Sequence, residues 1–217
     1  MTAVERLFSE DDRRRIGEAV REAERGTSGE IVVVIAAASD EHAETYWRSA
    51  FLLASLVMLA DIGYRHYATF WLAWSADAVW VAMLAAGLLG FFAASWPPVR
   101  RALAGRERLS RRVRRAAEAA FTRERVFETR DRTGILVFLS LLERQVVVLP
   151  DAGIAAKAPE SAWSGVVGEI VLGMKAGRPT EALVTAVRSC GDTLRAAGFS
   201  SRPDDANELP DFPKTAG

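Results

Sequence analysis

The segment AVWVAMLAAGLLGFF, residues 78–92, has no charged side chain and belongs to an apolar stretch from about Ala76 to Trp96. This stretch supplies about the 20 residues that a helix needs to cross the hydrocarbon core of a bilayer. A buried helical hairpin in a soluble protein is the alternative, but so many consecutive apolar residues would need a larger protein around them. The sequence therefore predicts a membrane-spanning helix.

A shorter apolar stretch precedes it, from Trp47 to Tyr64, and is interrupted by Asp61. It predicts a short or tilted span, or a re-entrant segment. Aromatic residues that could lie at the membrane interface are Tyr46, Trp47, Tyr64, Tyr67 and Trp71. Asp61 and Asp77 lie near the ends of the stretches and are interpreted as interfacial acids. Residues 47–97 together predict a two-helix transmembrane hairpin.

Arginine is concentrated directly after this hairpin. Residues 99–115 contain eight arginines and one acid, Glu107, whereas the connection 63–67 contains one arginine. The positive-inside rule places the arginine-rich side in the cytoplasm. We therefore expect a two-pass protein of the cell membrane whose soluble domain is cytoplasmic.

The arginine-rich interval also has the period of an amphipathic helix, because Leu109, Val113, Ala117 and Ala120 recur on one face. Its arginines have three interpretations: contact with anionic lipids, nucleic-acid binding, or a solvated face. The position beside a predicted span favours lipid, and the lack of interleaved aromatic residues argues against nucleic acid. The expected lipid contacts are Arg100, Arg101, Arg108, Arg111, Arg112 and Arg115.

The segments that flank the hairpin predict one small α/β domain, a sheet covered by helices. Its first part is residues 1–46, where a capped helix from Ser9 is followed by the β-branched strand 30–36. Its second part is residues 98–199, where two strands, 133–139 and 145–149, form a hairpin and are followed by two helices. Residues 200–217, rich in proline and acids, have no apolar periodicity and predict a flexible tail.

The overall composition of the chain excludes few classes of function. The chain has 28 basic and 28 acidic residues, so no global charge indicates a polyanionic partner. Its single cysteine, Cys190, rules out an intramolecular disulfide and lies on the apolar face of a predicted helix. The two histidines, His42 and His66, lie on opposite sides of a hydrophobic segment.

The soluble segments resemble the TPM domain family, which includes thylakoid-lumen and photosystem II repair proteins and a receptor-accessory protein. The motifs that carry the resemblance are Thr27-Ser28-Gly29-Glu30-Ile31, Gly134-Ile135-Leu136-Val137, Leu142-Glu143-Arg144, Asp151-Ala152-Gly153-Ile154 and Trp163. The resemblance implies a compact α/β sandwich. Many relatives are exported and carry their membrane helix outside the domain, whereas here a hydrophobic hairpin interrupts it.

Three acids lie where strands end, which is where ligands tend to bind in α/β sheets: Asp40, Glu143 and Asp151. We expect Asp40 and Asp151 to be neighbours and Glu143 to lie at the opposite end of the strand hairpin from Asp151. Such carboxylates could bind Ca²⁺ or Mg²⁺, or act in phosphoryl transfer. The alternative is that Asp151-Ala152-Gly153 is simply a turn, and no phosphate-binding loop, HExxH or catalytic-triad motif is present.

Two functional hypotheses follow from the residues and the resemblance together. The first is a membrane-anchored TPM-like domain that acts as an interaction or maintenance factor for a membrane protein complex. The alternative is a membrane-anchored phosphatase or metal-dependent hydrolase that uses Asp40 and Asp151, since some TPM proteins are described as acid phosphatases or calcium binders. The resemblance does not choose between them, because a fold does not fix a function.

Overall fold

The computed structural model describes residues 3–39, 43–67, 75–104, 106–201 and 207–216. The chain forms two compact units. One, the α/β unit, combines Met1–Asp40 with Ser110–Gly217. The other, the helical unit, is Glu41–Leu109 and is inserted in the sequence of the first.

The α/β unit is built on a four-stranded mixed sheet. Its strands are β1 (Glu30–Ala36), β2 (Gly134–Ser140), β3 (Gln145–Pro150) and β4 (Lys214–Ala216), in the order β3-β2-β1-β4. β1 runs parallel to β2 and to β4, and β2 and β3 form the antiparallel hairpin that the sequence predicts. The predicted α/β class is therefore confirmed.

Both faces of the central strands are buried, because successive side chains of a strand point to opposite faces of the sheet. On one face Ile31, Val33 and Ile35 pack with residues of the helices α2 (Glu10–Glu24), α8 (Ser164–Lys175) and α9 (Pro179–Ala196). On the other face Val32 and Val34 pack with Val113, Ala117 and Ala120 of α6 (Arg106–Arg123). The continuous β-branched run of β1 is thus explained by burial on two sides.

The remaining helices of the α/β unit are short. They are α1 (Ala3–Leu7), α7 (Ala152–Ala155) and a 3₁₀ turn at Glu160–Trp163. The predicted cap of α2 is present as a reciprocal pair, in which the Ser9 side chain accepts from the Asp12 N–H at 3.1 Å and the Asp12 carboxylate accepts from the Ser9 N–H at 3.0 Å. This arrangement satisfies N–H groups that the first turn of a helix leaves without partners.

The C-terminal segment differs from the flexible tail that the sequence predicts. Residues 202–206 lie outside the described part, but residues 207–216 lie against the sheet, with Leu209 buried and β4 paired with β1. The physical reason is that a three-residue edge strand needs no apolar period of its own. Backbone pairing and a few side-chain contacts hold this segment in place.

The helical unit consists of α3 (Ala43–Tyr67), α4 (Ala76–Ala93) and α5 (Pro97–Ala104). α3 has 25 residues and continues beyond Asp61, whose carboxylate lies 2.8 Å from the Arg65 guanidinium one turn later. At 1.5 Å per residue α3 is about 37 Å long and α4 about 27 Å long. The first apolar stretch therefore lies within a 25-residue helix that does not end at Asp61.

α3 and α4 pack closely against each other. Gly90 of α4 faces the backbone of α3, where a Cβ atom would come within 2.5 Å of the Ser49 carbonyl oxygen. The Phe91 ring contacts Tyr46 and Trp47, with ring centroids 5.2 and 5.5 Å apart. A small residue at the crossing lets the two helix backbones approach closely.

Candidate functional site

The two ends of the sheet hold different acids. β1 pairs with β2 from Glu30 opposite Gly134 to Ala36 opposite Ser140. The Asp151 N–H donates to the Gly134 carbonyl oxygen at 2.8 Å, so Asp151 lies beside the amino-terminal ends of β1 and β2. The carboxyl ends of these seven-residue strands lie about 20 Å away.

Asp40 itself lies outside the described residues. The residue before it, Ser39, donates its N–H to the Glu143 carboxylate at 3.2 Å, at the carboxyl ends of β1 and β2. The expected pairing of Asp40 with Asp151 falls on a residue outside the described part and stays a prediction, while Asp151 lies at the amino-terminal ends of β1 and β2. It is Glu143 that the fold brings to the end of β1, and Glu143 and Asp151 lie at opposite ends as predicted.

Asp151 has a structural role in this arrangement. Its side chain is buried, and it accepts a hydrogen bond from the Ala152 N–H at 2.7 Å as the N-cap of α7. The Arg132 Nε lies 2.9 Å from the other carboxylate oxygen, out of line for a hydrogen bond, so that contact is ionic. Gly153 follows where a Cβ atom would come within 2.3 Å of the Asp131 carbonyl oxygen. These contacts support the turn interpretation of Asp151.

Glu143 is buried in the turn between β2 and β3. Besides the Ser39 N–H, it accepts a hydrogen bond from the Ser140 hydroxyl. Its carboxylate therefore ties the end of β2 to the chain that leaves β1. Within the described ranges no group of three His, Cys, Asp or Glu side chains is placed to hold a metal ion.

A second set of acids, which the sequence analysis missed, surrounds an open pocket of about 230 Å³. Burial raises the pKa of Glu24 to about 8 and the pKa of Glu30 to about 7. The Glu24 carboxyl accepts from the Ile31 N–H at 2.7 Å, and Glu30 accepts from the N–H groups of Glu208 and Leu209 at 3.3 and 3.4 Å. The sequence does contain one signal for this site, because Glu30 is an acid at the first position of a strand that is buried on both faces.

The C-terminal segment lies beside this pocket, which Asn207 helps to line. Asp211 is buried, lies 2.6 Å from the Arg21 Nε, and accepts from the Asn207 amide at 2.7 Å. With Glu30 this gives the segment polar contacts to both α2 and β1. No period in the sequence could connect Arg21 with Asp211, which lie 190 positions apart.

A larger cavity lies between β3 and α8. It has a volume of about 530 Å³, within the range of about 300–1,000 Å³ typical of ligand sites. We call it the β3–α8 groove. The residues that line it are Leu7, Leu139, Leu141, Arg144, Val146, Val171, Met174 and Lys175. It is therefore an apolar groove with two cationic side chains.

The basic helix α6 has the two faces that the sequence predicts. Val113, Ala117 and Ala120 are buried against the sheet, Arg111 and Arg115 are exposed, and Arg112 is half-buried. The backbone of Arg100, Arg101 and Arg108 is helical, but their side chains lie outside the described part of the structure. The exposed guanidinium groups of α6 thus lie opposite its buried face.

These features define an α/β protein with an apolar helical hairpin inserted after its first strand. The chain is similar in fold to the BA42 protein of the psychrophilic bacterium Bizionia argentinensis, whose structure was determined by NMR. The TM-score is 0.61 and the sequence identity 18%, with 100% of each chain covered. No protein-family model and no curated protein matches the chain.

Proposed function

We propose that the chain is a membrane-anchored binding protein that acts as an interaction or maintenance factor for a membrane protein complex. The proposal of a membrane anchor rests on the exposed apolar surface of α3 and α4. Both helices are long and apolar enough to cross a bilayer, and only 6% of each apolar window is buried. Large side chains such as Trp80 and Phe92 are mostly exposed. Such a surface is unfavourable in water and favourable in lipid.

The proposal of a binding function rests on the side-chain contacts and the groove of the α/β unit. Asp151 caps a helix and contacts Arg132, and Glu143 bridges backbone and hydroxyl groups, so both carboxylates have structural partners. The β3–α8 groove offers an apolar surface instead. The TPM resemblance agrees with this class of function, and the chain's membership of that family is part of the proposal.

The cytoplasmic location of the α/β unit is proposed from charge. The arginines that follow α4 outnumber those of the connection between α3 and α4, as the positive-inside rule requires of a cytoplasmic segment. The exposed Arg111 and Arg115 would then lie near anionic headgroups, with about 1 kcal/mol of attraction for each charge close to the surface. Lipid headgroups are thus the second proposed partner.

Topology is tested by cysteine labelling of intact cells. The native Cys190 can stay, because burial raises its pKa to about 12 and leaves the thiol unreactive. We expect a cysteine at His66 to react with a membrane-impermeant maleimide, and a cysteine at the exposed Ser201 to react only after the membrane is opened. Labelling of Ser201→Cys from outside would show an exported domain and overturn the cytoplasmic assignment.

Binding is tested by photo-crosslinking in living cells, with a photoreactive residue placed in turn at exposed positions of α6, α8 and α9. We expect at least one face to give a discrete product with another membrane protein, and the other faces to serve as controls. If no face gives a product while the purified chain hydrolyses p-nitrophenyl phosphate with Ca²⁺ or Mg²⁺, and Asp151→Asn abolishes that activity, the hydrolase hypothesis replaces this one.

A further inference from the structure

The outer edge of β3 is available for pairing. β3 is the last strand on its side of the sheet, and each of its residues, Gln145–Pro150, is partly exposed. Within the described ranges its outer backbone groups have no hydrogen-bond partner. Its sequence, QVVVLP, is rich in β-branched residues and carries no charge. Natural proteins usually protect such an edge with charges, prolines, bulges or a covering element, and of these β3 carries within the strand only Pro150, its last residue.

The β3–α8 groove lies directly beside this edge. Val146 of β3 is opposite Leu139 of β2 in the register, and both side chains line the groove. α8 packs against β3 and contributes Val171 and Met174. A strand added to β3 would place every second side chain on the face where the groove lies.

Two cationic side chains line the groove, and one of them lies at the start of β3. Arg144 immediately precedes the strand, and Lys175 ends α8. Both are exposed and line the groove, and neither has a carboxylate within ion-pair distance in the described part of the chain. A strand antiparallel to β3 would have its carboxyl terminus beside Arg144, because β3 begins there.

We propose that the β3–α8 groove binds the C-terminal segment of a partner protein as an added strand antiparallel to β3. Backbone hydrogen bonds along the free edge give affinity, and alternate apolar side chains in the groove give selectivity. The terminal carboxylate lies between Arg144 and Lys175. This inference rests on the proposed binding function and names the surface and the chemistry of the partner.

An acyl chain with an acidic headgroup would match the groove and its two charges, but it would leave the edge of β3 without partners. The free backbone edge therefore favours a peptide. The two ligands predict different behaviour of the β3 amides, since only a peptide strand slows their hydrogen exchange.

The test uses the full chain in lipid nanodiscs and a phage library of random heptapeptides with free carboxyl termini. We expect enrichment of peptides with apolar β-branched or aromatic residues at alternate positions. The selected peptide should slow hydrogen exchange in residues 145–150, and its C-terminal amide should bind about tenfold more weakly, the loss expected for one charge-assisted hydrogen bond.

The variant that isolates the charges is Arg144→Gly with Lys175→Ala. Arg144 has φ of 54°, a left-handed conformation that glycine adopts without strain, so the turn keeps its geometry. We expect peptide affinity to fall about tenfold or more, while the melting temperature does not fall. The matched control is Arg125→Gly, which removes an arginine with φ of 56° from a turn whose residues do not line the groove, and it should bind as the wild type does.

Three results would overturn the inference. The first is that no peptide is enriched, and the second is that the selected peptide binds without slowing exchange in residues 145–150. The third is that dodecanoate displaces the peptide and that the peptide binds the charge variant as tightly as the wild type. The proposed function fails separately, when no face of the α/β unit crosslinks to a membrane protein in cells. A crosslink from α6 alone would keep the proposed function and reject the groove as its site.

Discussion

β1 of the α/β unit and α4 of the helical unit are both strongly apolar, yet they have opposite surroundings. All seven residues of β1 are buried, whereas Gly90 is the one buried residue among the 18 of α4. β1 is rich in valine and isoleucine, which pack well in a sheet, and α4 is richest in alanine and leucine. Two equally apolar segments can therefore differ completely in how much of their surface the protein itself covers.

The largest expected effect concerns the core of the α/β unit. Phe138 of β2 is 2% exposed, and Phe138→Ala should lower the free energy of unfolding of this unit by about 3–5 kcal/mol through lost burial and a residual cavity. The matched change Phe92→Ala, at a residue of α4 that is 67% exposed, should leave it within about 0.5 kcal/mol. Hydrogen exchange of β1 and β2 in denaturant measures both. Equal losses would contradict the separation of the two units.

The next prediction tests whether the exposed leucines of the two units lie in lipid or in water. Leu84 of α4 and Leu172 of α8 are each 69% exposed. Leu84→Asp should oppose membrane insertion by about 2.5–3.5 kcal/mol, because an acid is costly at the centre of a spanning helix. Leu172→Asp should be nearly neutral. The measurement is the fraction that stays with membranes after alkaline extraction, and an unchanged fraction for Leu84→Asp would show that α4 does not span.

A smaller effect is expected at the crossing of α3 and α4. Gly90→Ala forces a Cβ atom toward the Ser49 carbonyl oxygen, so it should separate the helices at a cost of about 1–3 kcal/mol. Gly63→Ala is the control, since nothing lies within 4 Å of its Cβ position and alanine favours the helix. SDS titration of the reconstituted protein, followed by circular dichroism, compares the two. Greater stability of Gly90→Ala would contradict the close packing.

The smallest effect is a dependence on pH in the α/β unit. Burial raises the pKa of Glu24 from 4.5 to about 8, so the folded state binds more protons than the unfolded state between these values. The contribution is complete below pH 4.5 and is lost as the pH rises to about 8. Glu24→Gln should flatten this decline and leave the unit more stable than the wild type at pH 8.

The control for this prediction is Glu118→Gln, at an exposed acid of α6 that lies 3.2 Å from Arg114. It should leave the pH profile unchanged apart from a few tenths of a kcal/mol for a surface pair. A stability that increases from pH 5 to pH 8 in the wild-type protein would contradict the assignment of a neutral, buried Glu24.

Much of the fold could be predicted because local pattern and tertiary burial agree. The cap at Ser9, the buried run of β1, the β2–β3 hairpin and the amphipathic α6 each have a signal within about 15 residues. β4 could not be predicted, because its three residues have no period and are held by pairing with β1. α3 continues through Asp61 to Tyr67, and the Asp61 carboxylate is paired with Arg65 one turn later, which a count of apolar residues does not register.

The candidate site was harder to predict because its residues are joined only by the strand register. The parallel pairing of β1 with β2 brings Glu143 beside the chain that leaves β1, in a contact with Ser39 across 104 positions that no local pattern indicates. Lys175 and Arg144 have no common motif and line one groove only because α8 packs on β3. The acids Glu24, Glu30 and Asp211 likewise depend on where the C-terminal segment lies.

The neighbours of β1 also set an order of events during synthesis. β2 leaves the ribosome about 100 residues after β1, which at ordinary rates of translation is roughly 5–20 s, and β4 follows later still. Throughout that interval the nascent chain carries an unpaired valine-rich strand. In the proposed membrane protein α3 and α4 would be inserted within the same interval, so the sheet would be completed only after insertion.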